Sequence, residues 1–208
     1  MAQVFKTFNE LIDEKRAPGP SPIFSVLHML HAIDLLAKQA IGRGKLAREL
    51  GLGEGAVRTM VRRLKRARLI TTSEKGCSLT DNGRQLWNEY KAIFRKKVEI
   101  RKNELTLAEK NIAILVKNRG HKVGSGIQQR DAAIRVGAKG AITIKFSKGR
   151  MIIPTVSENI TEEFPSAAKQ ILNHLHPEEN DAIVIGSADD PLTAEYGSLA
   201  AAWTLVND

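Results

Sequence analysis

The chain has 208 residues, 32 Lys and Arg against 23 Asp and Glu, a net charge of +9 and a mean hydropathy of −0.23. That length supports two domains of ordinary size, each with its own core. No apolar run approaches the roughly 20 residues of a membrane span, the amino terminus lacks the apolar stretch of a secretory signal, and the single Cys77 excludes an internal disulfide and a cysteine-rich zinc site.

A cytoplasmic protein is the expectation. The charge is uneven: residues 1–100 hold 19 Lys and Arg and 10 Asp and Glu, whereas residues 101–208 hold 13 of each. A basic excess confined to one half points to a localised polyanionic partner.

Residues 4–16 carry a short amphipathic pattern through Val4, Phe5, Phe8, Leu11 and Ile12, and the prolines and glycine of 17–22 break it. An arm and linker over 1–22 is therefore expected ahead of a domain at 23–104. Its opening helix runs from Phe24 to Lys38, with Phe24, Leu27, Leu30, Ile33, Leu36 and Ala37 turned inward. His28 and His31 stand one turn apart on it, without the acidic or sulfur ligands a metal site needs, and no metal is assigned.

Leu46, Ala47 and Leu50 give the next helix a packing face, and Gly51 can end it in the left-handed conformation. A further helix starts near Gly53 and Glu54. Val57, Met60, Val61 and Leu64 fall at i, i+3, i+4 and i+7, one buried stripe, with Arg58, Thr59, Arg62, Arg63, Lys65, Arg66 and Arg68 between them. Leu69–Thr72 and Cys77–Thr80 read as a hairpin around Glu74-Lys75-Gly76, with Cys77 a small buried filler. Thr80 or Asp81 caps a helix expected from about Gly83 to Lys97, its apolar stripe formed by Leu86, Trp87, Tyr90, Ile93 and Phe94.

Helix, turn, arginine-rich helix and hairpin in this order resemble the winged-helix transcription factor superfamily over about residues 24–97. The resemblance implies that the helix matching 54–67 enters the major groove and that the wing meets flanking backbone. On chemistry, Glu54, Gly55, Arg58 and Thr59 are the expected base-edge residues, Arg58 suiting guanine O6 and N7 and Glu54 a cytosine amino group. Arg62, Arg63, Arg66, Lys75, Arg43 and Lys45 are the expected phosphate contacts.

From residue 105 a second domain is expected. Strands are predicted at 112–116, 141–146, 151–154 and 182–186, and helices ending near Val136, over Thr161–His174 and over Pro191–Leu205. The β-α-β-β-α-β order predicts a split βαβ, ferredoxin-like arrangement, so the whole chain is of the α+β class. Gly124, Ser125, Gly126 and Arg130 form a glycine loop opening a helix, either an anion site or a plain cap. Ser187, Asp189 and Asp190 follow the last strand and either bind a ligand or cap the final helix. The segments GIQQRDAAIRVGAKGAITI and GSADDPLTAEYGSLAAAWTL resemble an uncharacterised domain behind winged helices in some archaeal proteins, which implies a transcription regulator and no known catalytic residues.

The expected function is a sequence-specific transcription regulator that binds double-stranded DNA, without cofactor and acting as a homodimer. Its second domain would sense a small-molecule effector or mediate pairing. The Trp87/Tyr90/Phe94 stripe, the arm and the second sheet are the candidate dimer surfaces, with plain core, the commoner fate of an apolar stripe, as the alternative for each. The rival reading is a nucleotide-handling enzyme tethered to a DNA reader, which requires Asp189, Asp190 and Arg130 to converge on a phosphate or metal. A second rival places RNA or protein on the winged helix.

Overall fold

A computed structural model describes residues 6–8, 10, 11 and 23–206. Most of the expected arm and linker at 1–22 lies outside the described residues; those described within it are helical, and Phe8 and Leu11 are buried. The chain divides into two compact units, residues 1–90 and 91–208.

In the first unit, α1 (Val26–Lys38) buries Leu27, Leu30, Ile33 and Leu36 as expected. Its amino end is closed by Ser25, whose backbone N–H donates to His28 Nδ1 at 3.0 Å. This contact gives His28 a structural task, and burial followed by the nearby His31 lowers its pKa. Helix α2 (Arg43–Leu50) ends at Gly51, which adopts φ 64°; Leu52 N–H then bonds Ala47 O at 3.0 Å, so two orphan carbonyls of the last turn are satisfied.

Helix α3 (Glu54–Arg66) buries Val57, Met60, Val61 and Leu64 and nothing else. The hairpin is β1 (Ile70–Ser73) and β2 (Gly76–Leu79), paired Ile70 to Leu79 through Ser73 to Gly76. Ile41 adds a third rung by exchanging both backbone hydrogen bonds with Cys77, at 2.9 and 2.8 Å. Gly76 permits this at φ 115°, since a Cβ there would lie 2.5 Å from the Ile41 carbonyl carbon. Thr80 rather than Asp81 makes the cap contact on α4 (Asp81–Ile93), accepting from Gly83 N at 3.1 Å.

That helix stops four residues before the expected Lys97. Phe94 to Ile100 is β3, paired antiparallel to β4 (Lys110–Val116) in the second unit. Phe94, Val98 and Ile100 sit at both a helical and a two-residue spacing, and the open edge of β4 decides in favour of the strand. The expected dimer stripe is also corrected: Leu86, Tyr90 and Phe94 are buried within the chain, and Trp87 Nε1 donates to the buried Asp34 at 3.2 Å.

The charge division shifts with the boundary. Residues 1–90 hold 15 Lys and Arg against 9 Asp and Glu, and residues 91–208 hold 17 against 14. The second unit is therefore mildly basic rather than neutral.

Its remaining elements are α5 (Ile127–Arg135), β5 (Gly140–Ser147), β6 (Arg150–Ile152), α6 (Ile160–Glu163), α7 (Pro165–Leu175), β7 (Ala182–Ala188) and α8 (Pro191–Trp203). The single helix expected over 161–174 is split because Pro165 lacks an N–H and forces Phe164 out of helical geometry, to φ −135° and ψ 64°. The sheet order is β3-β4-β7-β5-β6, every neighbour antiparallel.

Strands β4 and β5 thus run parallel with β7 between them, and β5 similarly separates β6 from β7. Both split βαβ units are present. A ferredoxin-like sheet would put the first and third strands of this repeat at its centre, whereas here the fourth and second strands occupy it. The two helical layers also lie on opposite faces: α7 packs over Ala113, Leu115, Ile183 and Ile185, while α5 and α8 pack over the other face. Gly186 and Gly197 make that second layer tight, for a Cβ on Gly186 would lie 2.4 Å from Ser198 Oγ and one on Gly197 2.6 Å from Ala138 Cβ. Strand β7 is buried along its whole length, which is why it reads as an unbroken apolar run.

Candidate nucleic-acid interface

Helix α3 is apolar behind and cationic in front because its apolar residues recur every three or four positions and the arginines fill the gaps. Arg58, Arg62 and Lys65 follow one another at i, i+4 and i+7 and share one exposed face. With Arg43 of α2 and Thr72 and Ser73 of β1 they line an open groove of about 610 Å³ between helix and wing. Val61, Gly76 and Cys77 line its inner side. Lys65 Nζ donates to Thr72 Oγ1 at 3.0 Å, tying the wing to the helix.

A smaller hollow of about 280 Å³ lies at the start of the helix, between Arg43, Gly44, Glu54 and Arg58. Glu54 occupies the first turn, where the helix dipole favours a carboxylate. Gly42, Gly53 and Gly55 face open space, leaving the backbone here accessible to a close partner. Among the described residues no ion pair engages Arg58, Arg62, Arg43, Lys45 or Lys75, all of them exposed. Burial pushes the Cys77 thiol up, with Arg43 and Lys65 pulling the other way.

Glu54, Gly55, Arg58 and Thr59 stand on the first turns of α3, Thr59 with its hydroxyl donating to Gly55 O at 3.2 Å. Arg62 and Arg66 are exposed further along, Lys75 lies at the wing turn, and Arg43 and Lys45 lie on α2. Arg63 departs from the expected phosphate role. One step round from Arg62, it donates from Nη1 to the Leu11 carbonyl at 2.8 Å and holds its guanidinium 5.4 Å from the Phe24 ring centroid. Its charge fastens the preceding segment to the domain. Sequence reasoning passed over Lys65, Thr72 and Ser73 as groove residues. The i+7 relation of Lys65 to Arg58 was legible; the approach of β1 to the helix was not.

The two loops of the second unit gather near one end of the sheet, where Gly140 pairs with Ser187 and faces the stem of Arg130. Arg130, Ser187, Asp189 and Asp190 are engaged within the chain. Arg130 pairs with Asp131 at 3.0 Å and Asp189 with Lys139 at 2.9 Å. Asp190 caps α8 through Thr193 N, and that amide and hydroxyl hold its carboxyl below the usual range. Ser187 Oγ accepts from Leu107 N at 3.1 Å. Gly126 stands at φ 81°, so its glycine serves the backbone entering α5; Gly124 and Ser125 are exposed. Among the described residues no group of three metal-ligating side chains occurs, and no helix is long and apolar enough to cross a membrane.

Residues 24–94 match the model of the CggR N-terminal DNA-binding domain. The first unit is a winged-helix DNA-binding domain. Residues 107–205 match a domain of unknown function, DUF4443, so the chain joins a DNA-binding domain to an uncharacterised one. The winged-helix protein is similar to the solved hypothetical protein PH0730 from Pyrococcus horikoshii OT3, with 29% identity, a TM-score of 0.72, and coverage of 88% of this chain and 94% of that one. Lactococcus lactis ZitR aligns at 23% identity and a TM-score of 0.31, over 43% of this chain and 68% of its own. No curated protein matches the chain.

Proposed function

We propose that this winged-helix protein is a sequence-specific regulator that sets α3 in the major groove, lays the wing along the flanking backbone, and uses its second domain to sense a small molecule or to pair two copies. What carries the reading is the exposed face of Arg58, Arg62 and Lys65, which no ion pair engages among the described residues and which the wing borders. Cations left unneutralised beside open backbone suit a duplex, where each phosphate contact releases counterions.

Within that face Arg58 reads a base and Arg62, Lys65, Arg43, Lys45 and Lys75 position the duplex. Helix-turn-helix readers bind two half-sites one helical turn apart, so a homodimer belongs to the same proposal, as does a cytoplasmic setting. The protein acts as a binder rather than an enzyme, a reading supported by the engagement of Arg130, Asp189 and Asp190 in pairs and caps. Selection from a random duplex pool, followed by anisotropy titration of the enriched site, tests it. The expected result is an enriched motif with two related halves and affinity well above that for mixed-sequence DNA. Equal affinity for structured RNA and every duplex would overturn it.

A further inference from the structure

The second unit carries a cationic surface that the loops around Arg130 and Asp189 do not explain. In the β5–β6 hairpin Lys145 pairs with Ile152 and Ser147 with Arg150, so these four side chains share one face. It is the face on which α5 packs, as Gly126 at that helix start lies over Thr143, two residues before Lys145. Beyond Thr143 the hairpin leaves a hollow of about 430 Å³ lined by Lys145, Ser147, Lys148, Arg150, Ile152 and Glu158. A second hollow of about 200 Å³ shares Lys145 and Ser147 and reaches Gly120, His121 and Asn180.

Among the described residues the side chains of Lys145, Lys148 and Arg150 have no carboxylate partner, whereas Lys97, Lys117 and Lys139 of the same unit each have one. Lys148 and Gly149 both take positive φ, 53° and 72°, and the tight turn fixes the spacing of Lys148 and Arg150. The Glu179 carboxylate is turned to the Lys148 backbone N–H, at 2.9 Å for its nearer oxygen, and Glu158 stands at the hollow itself.

We propose that this open end of the sheet binds a small molecule bearing a phosphate or diphosphate group. A hollow of this size suits a metabolite rather than a macromolecule. Two ammonium groups and a guanidinium fork match a multiply charged phosphate, the Ser147 hydroxyl can donate to it, and half-buried Ile152 offers an apolar floor to the organic part. Glu158 is placed to accept from a ligand hydroxyl. The assignment gives the proposed sensing role a location and a ligand class, and rests on that role only for any effect on DNA.

The test is calorimetric titration of the full chain with inorganic pyrophosphate at fixed salt, for wild type, Arg150→Gln and Lys145→Gln/Arg150→Gln. Wild type should bind; the single variant should bind roughly tenfold more weakly, and the double variant not detectably. Malonate, a phosphate-free dianion, should bind more weakly than pyrophosphate. Arg150 is exposed, and unchanged thermal melting of its variant keeps the comparison fair. Absence of wild-type binding, equal binding by Arg150→Gln, or equal affinity for malonate would overturn the site. So would weaker binding and a shallower salt slope on mixed-sequence duplex with pyrophosphate binding intact, which would make the patch a nucleic-acid contact. Should wild type bind pyrophosphate but no duplex at all, the site stands and the regulator reading fails.

Discussion

The two units use positive charge in opposite ways. On α3, Arg58 and Arg62 stand exposed without carboxylate partners among the described residues. In the second unit most cations with assigned contacts are answered from within: Lys97 by Glu195 at 2.5 Å, Lys139 by Asp189, Lys102 by Glu109, and Lys117 by both Glu178 at 2.6 Å and Asp181 at 3.1 Å. Charge there is part of the fold, while at Arg58 and Arg62 it is left open to a partner. Among the described residues Lys110, Arg135 and Lys169 also lack a carboxylate partner, but Lys145, Lys148 and Arg150 stand together around one hollow, which is why they single out a site.

The sharpest break of this comparison is Asp181→Asn. Asp181 is fully buried and accepts from Lys117 Nζ, from Asn118 N at 3.1 Å and from Glu178 N at 2.9 Å. Removing its charge should cost the second unit about 3–5 kcal/mol, seen as loss of hydrogen-exchange protection in β4 and β7, while α3 keeps its protection. Arg58→Ala should do the reverse, leaving melting unchanged and costing about 1–3 kcal/mol on the preferred duplex, with relaxed selectivity at one base position.

Arg62→Ala should weaken all duplexes alike and reduce the slope of log affinity against log salt by about 0.9, read by anisotropy over a salt series. If Arg62→Ala instead lowered stability with no change in slope, its charge would be structural and the contrast between the units would fail.

The mildest effect concerns acid. The Glu178 carboxyl is held below its ordinary value by Lys117, and that of Glu104 by its own backbone N–H and the amides of Ser166 and Ala167 at the start of α7. Groups with lowered folded values stabilise above the unfolded carboxylate range and lose that contribution as pH falls through the folded values. Protection of α7 amides should therefore decline below about pH 4, and Glu104→Gln should flatten the decline.

Much of the first unit was legible because its signals are local. The stripe on α3, the left-handed Gly51 and the wing turn each depend on residues within one or two turns of one another. The positions of the loops around Arg130 and Asp189 in the chain were legible too, but their engagement was not: the Lys139–Asp189 pair and the Gly140–Ser187 register arise only once β5 and β7 meet. Sheet order was hidden for the same reason, since the run Ala182–Ala188 announces burial on both faces without naming its neighbours. The fate of Arg63 was equally hidden, because its partners Leu11 and Phe24 lie far away in sequence.

The rung between Ile41 and Cys77 has one more consequence. It staples the hairpin to the segment leading into α2, and Lys65 staples it to α3, so helix and wing are set in place when the domain folds. Little ordering is left for the moment of encounter with a duplex, and the loss of freedom that weakens many loop-based readers is already settled. Affinity can then be retuned by exchanging side chains along a fixed frame, which would let copies of this domain drift toward new target sequences without rebuilding the scaffold.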